Sequence, residues 1–86
     1  MKVHVEVKQK HIDAGIRSDC FDCPIALAML EATGKQWRVE EWIMRHGEDW
    51  VEMPENVSRF IHAFDRHAYE VQPFAFDIEL PEDGKQ

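Results

Sequence analysis

Between Pro24 and Gly34 the chain reads IALAMLEAT, apolar on nearly every side and rich in good helix formers. A helix of that make-up has to be wrapped by other elements. In a chain of 86 residues it therefore sets one core and one domain around itself. Pro24 suits the first helical position, where its missing N–H would have had no partner. It also drives Cys23 out of helical dihedrals and into the N-cap position. Gly34 supplies the left-handed residue that ends the helix.

The wrapping elements are legible in part. Val3, Val5 and Val7 alternate with Lys2, His4, Glu6 and Lys8, the pattern of a half-buried strand. Val57, Phe60, Ile61 and Phe64 make one apolar stripe on a second helix, opened by Pro54 and Glu55 and closed by Arg66 and His67. Ser58, Arg59, His62, Asp65 and Arg66 fall on its opposite, wet face. Phe74, Phe76, Ile78 and Leu80 share one face of a last strand, which Pro73 places at an edge or after a bulge. Residues 36–53 are less regular. Trp37 and Val39 alternate, and Trp42 and Met44 alternate one residue out of step. A bulge near Glu40 and Glu41 explains the shift, and a helical turn through Val39, Trp42 and Ile43 competes with it. His46, Gly47, Glu48 and Asp49 read as a hairpin turn, with residues 50–53 as the returning strand.

The order is thus strand, helix, strand, strand, helix, strand. The expected class is α+β: a small, mainly antiparallel sheet with two helices on one face, for which a ferredoxin-like arrangement is one topology. Residues 1–80 form the domain, and 81–86 read as a disordered tail.

Charge narrows the functions. Against 17 Asp and Glu stand 10 Lys and Arg, a formal net charge of −7. That balance disfavours direct nucleic-acid binding, which needs cations to displace phosphate counterions, and disfavours an anionic membrane surface. The acids cluster at Glu40, Glu41, Glu48, Asp49, Glu52 and Glu55, and again at Asp77, Glu79, Glu82 and Asp83. The plain reading is a solvated surface, and the sharper one is a docking face for a basic partner. No apolar run approaches the ~20 residues of a membrane span, and the charged start is unlike a signal peptide. A cytoplasmic protein with two reduced thiols is expected.

Three groups of residues carry candidate chemistry. Residues 9–23 read as a long irregular loop, in which His11, Asp13 and Arg17 bring together an imidazole, a carboxylate and a cation able to hold a small polar or anionic ligand. Local wiring is the plain reading: Asp13 capping a turn, Gly15 at positive φ, Arg17 paired with Asp13 or Asp19. Cys20 and Cys23, at CxxC spacing, suit a metal with His11 as a further ligand, or a redox dithiol. Zinc needs four ligands, however, and Asp19 and Asp22 disfavour a thiolate. Buried, inert thiols are the plain reading. Of three tryptophans, Trp42 and Trp50, with Glu48 and Asp49, form a candidate partner-binding set, whereas aromatics at such spacing otherwise belong to cores. No nucleophile–base pair, glycine-rich phosphate loop, HExxH pattern or cofactor motif occurs.

Val3-x-Val5, His11-Ile12-Asp13-x-Gly15-x-Arg17 and Cys20-x-x-Cys23-Pro24-x-Ala26-x-Ala28, followed by Phe60-Ile61-x-x-Phe64-Asp65-Arg66 and Val71-x-Pro73-Phe74-x-Phe76, resemble a set of small uncharacterised proteins from phages and bacterial genomes. The stretch 35–53 lies outside the match. The resemblance implies a phage setting and no activity. Together these features lead to the expectation of a non-enzymatic, phage-encoded accessory or host-interaction protein that docks on a protein partner, itself a candidate homo-oligomer. The alternatives are a small-ligand or nucleotide-sequestering protein using residues 9–23, and a CxxC metal or thiol module.

Overall fold

The structure is a computed structural model in which residues 1–67 and 70–81 are described. Its elements run β1 (Lys2–Val7), α1 (Gln9–Ala14), α2 (Pro24–Thr33), β2 (Arg38–Val39), β3 (Ile43–His46), β4 (Asp49–Glu52), α3 (Glu55–Arg66) and β5 (Phe74–Glu79). The mixed α+β class holds, with every strand pair antiparallel. The strands are divided between two sheets, however: β1 with β5, and a meander in the order β2-β3-β4. A ferredoxin-like sheet would also set a middle strand beside β1, and none lies there among the described residues. The expected tail at 81–86 falls outside the described residues from 82 onward.

The alternating patterns dictate the outer ribbon. Val5 pairs with Phe76 and Val3 with Ile78, so the apolar faces of β1 and β5 coincide. The polar faces coincide too, and His4 meets Asp77 at 2.7 Å on the wet side. α2 begins at Pro24 with Cys23 as N-cap, whose Sγ accepts the Ala26 N–H at 3.4 Å. It ends at Gly34 with φ +76°. Ile25, Ala26, Ala28 and Met29 are buried, while Leu30 is half-exposed. The helix is thus covered on one broad side and not all round. Val5, Val7, Ile25, Met29, Val39, Met44, Val57, Phe60, Phe76 and Ile78 belong to one core, so both sheets and two helices share an interior.

Two stretches depart from the sequence expectation. The supposed loop 9–23 contains a third helix, α1, with no apolar stripe of its own: His11 is buried and Ile12 half-buried. Gly15 follows it with an ordinary φ of −69°, not the positive φ expected. Its use is steric, because a Cβ there would lie 2.6 Å from the Cγ and Cδ of Pro24. The glycine lets the end of α1 press against the start of α2. Between β2 and β3 there is neither a bulge nor a helical turn. The Glu40 N–H donates to the Ile43 carbonyl at 2.8 Å, closing a tight reversal that accounts for the shift in alternation. The next turn is as expected: His46 pairs with Asp49 across Gly47 and Glu48, and Gly47 has φ +63°. Among the described residues no helix is long and apolar enough to cross a membrane.

Candidate functional site

Residues directly opposite one another in a ladder share a face. Arg38 pairs with Arg45 and Arg45 with Trp50, so these three form one row across the meander. Val39, Met44 and Val51 form the next row on the opposite face, and the first two are buried in the core. The Arg–Arg–Trp row is therefore the outer face. Ile43 and Glu52, paired two positions along, extend it. Trp50 is 57% exposed there. Arg38 lies over the Phe21 ring at 5.9 Å, and Phe21 is itself exposed. Glu40 meets both guanidiniums, at 3.1 Å to Arg38 and 3.3 Å to Arg45. The carboxylate bridges the two like charges and holds them side by side.

The structure separates the two candidate tryptophans. Trp42 is 62% exposed but sits at the core side of the meander, with its ring edge-on to His62 of α3 at 5.5 Å. Glu41 lies beside it, with Oε2 3.2 Å from His62 Nε2 at an angle that makes no hydrogen bond. Of the expected set, Glu48 and Asp49 adjoin Trp50 through the β3–β4 turn. Ser58, expected on the wet face of α3, is buried and donates its hydroxyl to the Glu41 carbonyl at 2.8 Å. His62, expected in solvent, is half-buried. The reversal at 40–42 covers that flank of the helix, and a helical period cannot reveal cover supplied by a distant segment.

His11, Asp13 and Arg17 are not one site. The His11 ring is buried: Nδ1 accepts the Lys8 N–H at 2.9 Å, which leaves the proton on Nε2 to be donated to Glu31 Oε1 at 2.7 Å. Lys8 and Lys10 reach the same carboxylate at 3.2 and 3.3 Å. His11, then the two lysines, hold the Glu31 carboxyl down at about 2. Asp13 and Arg17 do share a groove of about 420 Å³ with His67. Arg17 is already engaged there, donating to the Phe64 carbonyl at 3.2 Å with its guanidinium over the Phe64 ring. Asp13 takes the Gln9 amide instead of Arg17.

Both cysteines line a second groove of about 350 Å³, shared with Asp19, Glu41, His62 and Asp65. Desolvation pushes the Cys23 thiol up to about 11. Cys20 is half-buried, and its carbonyl accepts the Val39 N–H at 2.8 Å. Asp19 accepts the Phe21 and Asp22 N–H groups and shapes the turn between the cysteines. Among the described residues no three His, Cys, Asp or Glu side chains gather as the ligands of one ion would. His11, the expected third ligand, has both nitrogens engaged at Lys8 and Glu31.

Phe21, Arg38, Ile43 and Arg45 escape a sequence reading as parts of the outer face. The signal is present for Arg45: counting back across a two-residue turn from Trp50 lands on it. Set against protein-family models, curated protein sequences and solved structures, the chain matches none.

Proposed function

We propose that the chain is a non-enzymatic docking domain that binds a protein partner through the outer face of the β2–β3–β4 meander. One observation carries this: Trp50, 57% exposed on a regular strand, stands in a row with Arg45 and Arg38. Trp and Arg are the side chains that dominate binding energy at protein interfaces. More than half of this residue is open to solvent in the free chain, and that part is desolvated only on association. Three groups that catalysis could recruit are committed elsewhere: the His11 nitrogens to Lys8 and Glu31, the Ser58 hydroxyl to Glu41, and the Cys23 thiol to a desolvated cap. In the phage setting that the sequence resemblance suggests, the partner is a host or viral protein in the host cytoplasm.

The test is capture from host lysate followed by affinity measurement with Trp50→Ala. We expect recovery of a partner, a loss on the order of 2 kcal/mol, about thirtyfold, in its binding, and melting unchanged within about 0.5 kcal/mol. Failure to recover a partner, or unchanged affinity in Trp50→Ala, overturns the proposal.

A further inference from the structure

Resting on that reading, we infer that the free edge of β4 takes up one extended, basic segment of the partner as an added antiparallel strand. The Met53 N–H donates to the Trp42 carbonyl at 2.9 Å, so residues 42 and 53 are a hydrogen-bonded pair. Such pairs alternate along an antiparallel ladder. Arg45–Trp50 and Ile43–Glu52 are therefore the non-bonded pairs, and the N–H and C=O of Trp50 and Glu52 point away from β3. Nothing among the described residues bonds to them. The other edge of the meander is closed, since the Cys20 carbonyl takes the outward Val39 N–H. β4 carries neither proline nor bulge; what guards this edge is its four-residue length and the acids at its two ends, which repel an acidic strand and admit a basic one.

The side chains choose the occupant. Asp49 and Glu52 lie on β4, and Glu48 stands in the turn before it. Directly opposite residues of opposite charge stabilise a strand pair, and like charges oppose it. A second copy of β4, paired antiparallel through these outward groups about Val51, would set Trp50 against Glu52 and give neither Asp49 nor Glu52 a cation, so a basic segment is the better complement. A guest strand instead needs cations facing Glu52 and Asp49, an apolar residue facing Val51, and a side chain able to stack on Trp50. An arginine meets the last condition. The β1–β5 ribbon shows no exposed aromatic on its strands, which separates the β4 edge from that sheet's edges.

Amide spectra of the isotope-labelled protein would be followed during titration with acetyl-Thr-Lys-Val-Arg-Lys-Thr-amide and with an acidic counterpart carrying Glu and Gln in place of Lys and Arg. We expect the basic peptide to shift the Trp50 and Glu52 amides and slow their hydrogen exchange by roughly tenfold or more, and the acidic one to do neither. Glu52→Pro deletes one outward donor and leaves the ladder to β3 intact, so affinity falls by about tenfold. The double change Asp49→Lys with Glu52→Lys, confined to the strand's side chains, reverses the preference between the peptides. Equal binding of the two peptides, no response to the basic one, or indifference to both sets of changes overturns the inference. A partner whose capture needs Trp50 but ignores Glu52→Pro and the charge reversal removes edge pairing and leaves the docking face. Indifference of that capture to Trp50→Ala, with the basic peptide still pairing, removes the docking face and leaves the edge.

Discussion

Glu31 illustrates how one side chain can set two elements together. Its carboxylate on α2 takes the buried His11 proton from α1 and two lysine ammoniums, and these partners hold its pKa at about 2 against an ordinary 4.5. Because the folded value is depressed, the stabilisation is complete above about pH 4.5 and drains away as the pH falls toward 2. In thermal melts the gap between the parent chain and Glu31→Gln should therefore be widest near neutral pH and close on acidification. Added salt should narrow it, because the pairs with Lys8 and Lys10 are solvent-exposed. A gap that stays constant with pH would show that the charge does not matter. Glu79, also depressed through the N-terminal ammonium, titrates alike in both chains and cancels. None of this is legible in the sequence. His11 and Glu31 are 20 residues apart, and the imidazole reads as a free candidate ligand until its burial is known.

At the scale of elements, legibility tracks periodicity. The strand alternation of β1 and β5 and the stripe of α3 stand out in the sequence because each repeats several times. α2 is bounded by Pro24 and Gly34, two residues with unambiguous backbone demands. α1 escapes notice because six residues carry too few repeats and its inward side chains are one histidine and one isoleucine. The reversal at 40–42 is hidden because its closing bond joins backbone groups, which the side-chain sequence does not encode. Gly15 gives the junction between α1 and α2 a direct test. With φ at −69° an alanine has no torsional objection, so Gly15→Ala isolates the clash with the Pro24 ring. We expect a destabilisation of about 1–3 kcal/mol by denaturant titration. At Gly34, where an added Cβ would meet nothing within 4 Å, the cost comes from the left-handed backbone alone. A neutral Gly15→Ala would mean that the two helices yield freely at this joint.

Across the whole molecule the two sheets are separate ladders that drain into one interior. Met44 of β3 is fully buried alongside Val5 of β1 and Met29 of α2. Truncating it should therefore weaken the outer ribbon as well as its own meander. Met44→Ala is expected to cost about 2–5 kcal/mol, with tryptophan fluorescence and far-ultraviolet dichroism still falling in one coincident transition. Two transitions would show that the meander unfolds by itself. The class and the single core are readable from the sequence; the division into two sheets depends on which edges meet, and strands with matching apolar faces can be dealt between sheets in several ways.

The bond from Val39 to the Cys20 carbonyl has a further consequence for stoichiometry. A sheet open on both sides can be threaded into an endless stack, each newcomer offering a fresh ledge to the next. Here the stitch from the cysteine turn seals one flank of the meander. Growth from the other flank leaves the meander a terminus, and an assembly made through it would stay a one-to-one adduct without lengthening into a fibre.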